Sequence, residues 1–73
     1  MNSPLNIGVV GLGRLGRLYA RHFATRLPGA RLHSVTDARP AVAKQIAGET
    51  GARLCVDHRE LLADPALDAV VVM

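Results

Sequence analysis

The stretch IGVVGLGRLGR, residues 7–17, limits what this chain can fold into more than any other part of its sequence. An apolar run at 5–10 is followed at once by three glycines, Gly11, Gly13 and Gly16. A short apolar run that ends at glycines is typical of a strand buried on both faces of a sheet. The glycine spacing therefore predicts a tight turn from this strand into a helix, at a place where the backbone must come close to another group.

The rest of the 73-residue chain continues the alternation of strand and helix. We predict strands at 5–10, 31–36, 53–56 and 67–73, and helices at 14–27, 40–51 and 59–63. This order predicts an α/β protein with a parallel sheet and right-handed crossovers. In a Rossmann-type sheet, the strands then lie in the order 3-2-1-4, with the switch point between strands one and four.

The first predicted helix has an apolar stripe and a basic face. Leu15, Leu18, Tyr19, Phe23 and Leu27 fall near helical spacing, so we expect them to face the sheet. The arginines between them, Arg14, Arg17 and Arg21, are expected on the solvated face, and Pro28-Gly29 is expected to end the helix.

Composition narrows the function classes. Hydrophobic residues make up 49% of the chain and charged residues 21%, which is typical of a globular protein. The net charge is +3, but the basic residues are dispersed and Tyr19 and Phe23 are the aromatic residues, which argues against nucleic-acid binding. With one cysteine and no long apolar segment, we expect no disulfide, no membrane span and a reducing, cytoplasmic location.

An acidic residue ends the second predicted strand. Asp37 follows Gly16 by 21 residues, close to the spacing of about 20 expected of a dinucleotide site. There it would accept hydrogen bonds from the adenosine ribose and repel a 2′-phosphate, which favours NAD over NADP. Arg39 keeps NADP and dual use open, because a guanidinium there can pair with a phosphate or stack on adenine. The alternative role for Asp37 is a cap of the second helix.

The six residues from Gly11 to Gly16 form the candidate cofactor-binding loop. The residues between its three glycines are Leu12, Arg14 and Leu15. Gly11 permits the tight turn, Gly13 lets the backbone approach a pyrophosphate, and Gly16 lets the helix pack closely on the strand. The helix start would bind the phosphates through its free N–H groups. Arg14 either contacts the pyrophosphate or faces solvent. An ordinary tight turn with no ligand is the alternative.

Other candidate groups favour structural roles. We expect Cys55 to be a small core residue and Asp57 with His58 to belong to a helix cap rather than an acid-base pair. His22 and His33 have no partner pattern, so structural or exposed positions are expected. No set of residues predicts a metal site.

The sequence stops inside its last apolar strand. Because both faces of a parallel sheet need cover, we expect residues 1–73 to be a partial domain of a longer protein. The alternative is a complete small fold that covers its surfaces by oligomerising.

At the level of motifs, the chain resembles the Gfo/Idh/MocA family, which includes glucose-fructose oxidoreductase and inositol dehydrogenase. The segments that carry the resemblance are NIGVVGLGRLGRLYARHFA, LHSVTD and HRELLADPALDAVVV. The last is the most specific, because many nucleotide-binding families share the glycine loop but few continue with this pattern. The resemblance implies the N-terminal part of an inositol or sugar dehydrogenase.

This resemblance implies a two-domain enzyme, usually oligomeric, that moves a hydride between NAD(P) and a sugar or polyol. In this family, the lysine that aids proton transfer and the substrate domain lie further along the chain than the segments matched here. The resemblance therefore implies that residues 1–73 alone bind the cofactor without catalysing the reaction. The carried-over contacts are Gly11, Gly13 and Gly16, with Arg14 near the phosphates and Asp37 at the ribose. Two alternatives stay open: a module that senses NAD(H) or another nucleotide, and a chain that only associates with itself through its last strand.

Overall fold

The computed structural model describes residues 4–25 and 29–73 and shows a single parallel sheet with helices packed on it. Its elements are β1 (Leu5–Val10), α1 (Arg14–Thr25), β2 (Ala30–Thr36), α2 (Pro40–Thr50), β3 (Arg53–Leu54), α3 (His58–Leu62) and β4 (Ala69–Val72). The strands lie in the order β3-β2-β1-β4. The predicted α/β class and strand order are confirmed. No helix within the described ranges is long and apolar enough to cross a membrane.

The core lies between the sheet and the two longer helices. β1 is buried along Ile7, Gly8 and Val9, as its continuous apolar run predicts for a central strand. The buried core cluster on this side consists of Val9, Leu12, Ala20, Leu32, Val35, Ala43 and Ile46. The cluster joins β1, β2, α1 and α2, so these four elements form one packing unit.

A register shift in β2 brings two core residues onto one face. Ile7 pairs with Leu32 but Gly8 pairs with Ser34, so His33 has no partner on β1. An extra residue of this kind forms a β-bulge, which reverses the alternation of side chains beyond it. Leu32 and Val35 therefore both join the same core cluster although they are three residues apart.

The predicted apolar stripe on α1 is confirmed at Phe23, which packs against the core cluster, and is wrong at Leu15, Leu18 and Tyr19, while Leu27 lies outside the described residues. Leu15, Leu18 and Tyr19 are 52%, 48% and 40% exposed, whereas the buried residues of the helix are Gly16 and Ala20. These two small residues lie four apart on one face, so the helix backbone can approach the sheet closely. The larger apolar residues then fall beside the contact instead of inside it.

The helix ends follow from their capping residues. α2 begins at Pro40, as predicted, and its last residue is Thr50; Gly51, the predicted end, follows as the cap and adopts the left-handed conformation with φ 77°. Its N–H donates to the carbonyl of Ala47 at 2.9 Å, which is the usual way to close a helix at glycine. α1 extends to Thr25, and the predicted end of this helix at residues 26–28 lies outside the described residues.

Two predicted strands are shorter than expected. β3 contains only Arg53 and Leu54 instead of four residues, because the chain turns Cys55 into the core and leaves Val56 82% exposed. Cys55 is 1% exposed, which confirms its predicted core position, and burial raises the pKa of its thiol. β4 begins at Ala69, two residues late, because the preceding residues form a turn.

The opposite face of the sheet is covered by α3. Leu61 is fully buried, and an added Cβ at Gly8 would lie 2.7 Å from its Cδ2 atom. Gly8 therefore provides the space in which Leu61 packs. Asp57 caps this helix by accepting a hydrogen bond from the Glu60 N–H at 2.9 Å, which confirms the predicted cap.

Substitution by alanine should have opposite effects at Gly48, inside α2, and at Gly51, which caps it. Gly51→Ala should destabilise the protein by about 1 kcal/mol, because alanine tolerates the left-handed conformation poorly. Gly48→Ala should stabilise it by about 0.5–1 kcal/mol, because Gly48 is an exposed helical residue and an added Cβ would meet no atom within 4 Å. Urea unfolding of both variants measures the difference, and equal shifts in the midpoint would contradict this account.

Candidate cofactor site

The glycine loop lies where the carboxyl ends of β1 and β2 meet. Gly11 follows β1 directly with φ 94°, a conformation that favours glycine, and its N–H donates to the carbonyl of Thr36 at 2.9 Å. On the other side of β1, the N–H of Met73 donates to the carbonyl of Val10 at 2.9 Å. The loop therefore starts at the switch point of the sheet, which is where open α/β sheets bind ligands.

Gly16 is required by the loop itself. A Cβ on Gly16 would overlap the carbonyl oxygen of Gly11, which is a backbone atom and cannot rotate away as a flexible side chain could. The first turn of α1 thus rests against the start of the loop. This matches the predicted role of Gly16 in close helix packing.

Gly13 is different, because nothing in the described chain requires a glycine there. An added Cβ would meet no atom within 4 Å, and its φ is not in the left-handed region. Next to it, the N–H groups of Gly13, Arg14 and Leu15 have no acceptor among residues 4–25 and 29–73. Three free donors beside open space at a helix N-terminus suit an anion with several oxygens.

Asp37 ties the end of β2 to the loop. Its Oδ2 accepts from the Leu12 N–H at 2.6 Å, and its Oδ1 accepts from the N–H and Nε of Arg39 at 2.8 and 3.0 Å. The Arg39 guanidinium, helped by the backbone N–H groups, holds the pKa of Asp37 well below its usual range although burial opposes this. The alternative that Asp37 caps α2 is wrong, because the residue at the cap position is Arg39 and it makes no side-chain cap bond.

Leu12 stabilises the conformation of the loop. Its side chain is fully buried in the core, its N–H is held by Asp37, and its carbonyl accepts from Arg17 Nε at 3.0 Å. Sequence reasoning placed Arg17 on the solvated face and missed this bond. Its position one helical turn after Gly13 is the signal that could have found it, because a long side chain there reaches back over the preceding turn.

Most of the predicted cofactor-binding residues line one of two crevices. One, of about 500 Å³, is lined by Gly11, Asp37 and Arg39 together with the turn before α3. The other, of about 640 Å³, is lined by Gly13, Arg14 and Arg39 with two further arginines of α1. Leu15 is half exposed and borders neither crevice. Arg39 borders both, so it separates the two parts of the site.

Comparison with known proteins identifies the arrangement. Residues 5–73 match the family model described as "Oxidoreductase family, NAD-binding Rossmann fold", which is the Gfo/Idh/MocA family. This chain belongs to that family. The resemblance inferred from sequence motifs is therefore confirmed, and so is NAD as the cofactor that the family's domain binds.

Similar members of the oxidoreductase family include inositol dehydrogenases. The scyllo-inositol 2-dehydrogenase (NAD(+)) of Bacillus subtilis is 39% identical over 74 residues, which cover 100% of this chain and 22% of that protein. Inositol 2-dehydrogenase 2 of Saccharopolyspora erythraea is 42% identical over 93% of this chain and 20% of its own length. The chain thus spans about a fifth of the length of the curated relatives that it matches.

Solved structures of family members share the fold. The myo-inositol dehydrogenase from Lactobacillus casei, solved in complex with NAD(H) and myo-inositol, superposes with a TM-score of 0.89 at 32% identity. The match covers 97% of this chain and 22% of that one. The sheet, helices and loop described above are therefore those of the family's NAD-binding domain.

Gly16 and Gly13 should respond in opposite ways to alanine. Gly16→Ala should cost about 2 kcal/mol of unfolding free energy or more, because the new methyl overlaps backbone. Gly13→Ala should change the unfolding free energy by less than about 0.5 kcal/mol, since its methyl enters open space. Thermal or urea unfolding without ligand decides this, and a Gly13→Ala variant as unstable as Gly16→Ala would refute the distinction.

The low pKa of Asp37 predicts acid sensitivity. The pKa of Asp37 is lower in the folded protein than its unfolded value of about 3.9. The contribution of the ionised carboxylate to stability is therefore present above that pH and is lost as the pH falls below it. We expect the unfolding free energy of the wild type to begin to fall as the pH drops below about 5 and to keep falling as the pH approaches the lowered pKa of folded Asp37, and to fall less steeply in Asp37→Asn. Urea unfolding across this range tests it, and parallel curves for the two proteins would contradict it.

Proposed function

We propose that this chain binds NAD with the pyrophosphate at Gly13 and the start of α1. The observation that carries the proposal is the contrast among the loop glycines: Gly11 and Gly16 are explained by the protein's own backbone, whereas Gly13 is explained by a ligand. The free N–H groups beside Gly13 supply hydrogen bonds to the phosphate oxygens. The positive end of the helix dipole and the Arg14 side chain add favourable charge.

We propose that Asp37 receives the adenosine ribose. Its carboxylate lies at the carboxyl end of β2, is joined to the loop through Leu12, and borders the crevice of about 500 Å³. Ribose hydroxyls are donors that a carboxylate accepts from, and they would replace the two guanidinium bonds from Arg39. The bond from Leu12 persists in this arrangement, so the carboxylate stays oriented while it exchanges partners.

The whole protein is proposed to oxidise or reduce a sugar or polyol hydroxyl carbon. Its support is that the similar proteins are named as inositol dehydrogenases and that one was solved with NAD(H) and myo-inositol bound. When bound, the nicotinamide ring supplies the hydride acceptor or donor. The part of the reaction assigned to this chain is to hold the dinucleotide in one orientation and to neutralise its phosphate charge.

We further propose that the 73 residues alone bind cofactor without turning over substrate. Of the two carboxylates that line the crevice, Asp37 is assigned to the adenosine ribose and Asp57 accepts from the N–H of Glu60. Neither is therefore in a position to exchange a proton with a substrate. A cytoplasmic location and the absence of nucleic-acid and membrane partners stay predictions from composition.

Self-association is supported by exposed apolar residues, and we propose a homo-oligomer. Leu15, Leu18 and Tyr19 lie exposed on α1, where they can contact a second copy of the protein. The same feature supports the alternative of a nucleotide-sensing module that works through association. A ligand-dependent change in oligomeric state without dehydrogenase activity in the full-length protein would favour that alternative.

Gly13→Val tests the proposed pyrophosphate site. Valine places methyl groups where the phosphates must approach the backbone, and loss of their charge-assisted hydrogen bonds should weaken NAD binding by about 100-fold or more. Isothermal titration of the folded protein measures the affinity.

The matched control is Gly48→Ala, another open glycine, which lies on α2 and lines neither crevice. It should bind NAD as the wild type does. If Gly13→Val folds and keeps the wild-type affinity, the loop is structural and the proposed site is wrong.

A further inference from the structure

Arg17, near the start of α1, is bonded to two successive carbonyl groups of the glycine loop. Its Nε donates to the carbonyl of Leu12 at 3.0 Å, and its backbone N–H donates to the carbonyl of Gly13 at 2.9 Å. The backbone bond is the ordinary first bond of a helix, which any residue at this position would make. The bond from Nε depends on the arginine side chain, which leans toward the amino end of the helix and reaches the loop.

The carbonyl that Arg17 bonds belongs to the same peptide unit as the N–H of Gly13. This peptide unit is trans, and in a planar trans peptide the C=O and N–H groups point in opposite directions. Fixing the direction of one group therefore fixes the direction of the other. Because the Leu12 carbonyl points to the Arg17 side chain, the N–H of Gly13 points away from it.

The two peptide units that flank Leu12 are held by different residues. The unit before Leu12 is held by Asp37, whose Oδ2 accepts from the Leu12 N–H at 2.6 Å. In the unit after Leu12, the bond from Arg17 is the only hydrogen bond that either polar group makes within residues 4–25 and 29–73. The orientation of the Gly13 N–H thus depends on this one side chain.

Without the Arg17 bond, the Leu12–Gly13 peptide unit is free to rotate. Such a rotation changes the ψ of Leu12 and the φ of Gly13, and glycine adopts positive φ as readily as negative φ. Packing does not oppose the rotation at residue 13, where an added Cβ would meet no atom within 4 Å. The rotated unit presents a carbonyl oxygen in place of the N–H, and its partial negative charge repels a phosphate.

We propose that Arg17 is a positioning residue of the cofactor site, which holds the Leu12 carbonyl so that the Gly13 N–H stays turned toward the pyrophosphate. The inference rests on the proposed function, because it concerns the orientation of one of the donors assigned there. Arg17 acts through the peptide unit, so it need not touch the ligand. Its bond to the carbonyl is charge-assisted and polarises the unit, which makes the Gly13 N–H a stronger donor.

Two substitutions separate the hydrogen bond of Arg17 from its charge. In Arg17→Gln, the side-chain amide nitrogen lies as many bonds from the backbone as Nε does in arginine, so a donor is kept and the charge is lost. Arg17→Met has a similar length and helix propensity but neither donor nor charge. The difference between the two variants therefore measures the hydrogen bond alone.

Titration calorimetry of the full-length protein with NAD measures this difference. We expect Arg17→Met to bind NAD about tenfold more weakly than Arg17→Gln, as the loss of one hydrogen bond to a charged oxygen predicts. Arg17→Gln should lie between the wild type and Arg17→Met. Circular dichroism of each protein without ligand checks that it is folded, and Arg17→Ala, which also has no donor, replaces the methionine variant if that variant is unfolded.

Adenosine shows whether the effect is confined to the phosphates. It has the ribose and adenine of NAD but no phosphate for the Gly13 N–H to bind. Its affinity should be the same in Arg17→Gln and Arg17→Met. If adenosine and NAD lose affinity by the same factor in Arg17→Met, the substitution disturbs the whole site, and the positioning role is overturned.

Arg21 provides the matched control on the same helix. It lies one turn further along α1 and lines the same crevice of about 640 Å³, but it bonds Glu49 at 3.1 Å instead of the loop. Arg21→Gln and Arg21→Met should bind NAD with equal affinity.

Equal NAD affinity in Arg17→Gln and Arg17→Met would also overturn the inference, because charge or direct contact with the ligand would then explain the whole effect of Arg17. If NAD still binds the wild type and Gly13→Val still weakens it, that result leaves the proposed function standing. A folded wild type that does not bind NAD would refute both.

Discussion

The close approach between Gly16 and the carbonyl of Gly11 is the constraint on which the other features of the site depend. It sets the first turn of α1 directly against the end of β1, so the free N–H groups at the helix start lie at the switch point of the sheet. It also brings Leu12 down into the core, where its side chain is fully buried. If the helix lay further from the strand, Leu12 would leave a cavity in the core and the N–H groups at the helix start would lie away from the switch point.

Much of the fold could be predicted because its signals are local and strong. The glycines after β1 and the proline and glycine at the ends of α2 reflect backbone requirements, and the apolar runs reflect strands buried on both faces. The parallel direction of the strands follows from the alternation of strand and helix. These features depend on neighbours in sequence, which is why reading along the chain recovers them.

The errors have a common physical origin in tertiary packing. Helical spacing marks which residues share a face, but it does not say whether large or small residues meet the sheet, and here Gly16 and Ala20 do. The bulge at His33 likewise changes the side-chain alternation through pairing with β1. At the site, the residue types were recognised, whereas the bond from the Leu12 N–H to Asp37 depends on how the carboxyl ends of β1 and β2 meet.

Asp37 combines a proposed role in ligand binding with a role in the structure of the loop. Its carboxylate selects the ribose in the proposed complex, and it also fastens the glycine loop to β2 through the Leu12 N–H. Arg39 contributes only an exposed side chain, and its backbone bond to Asp37 is independent of residue type. Natural variation in cofactor preference is therefore expected to accumulate at position 39, where a change leaves the scaffold intact, while position 37 stays restricted by the stability of the fold that surrounds it.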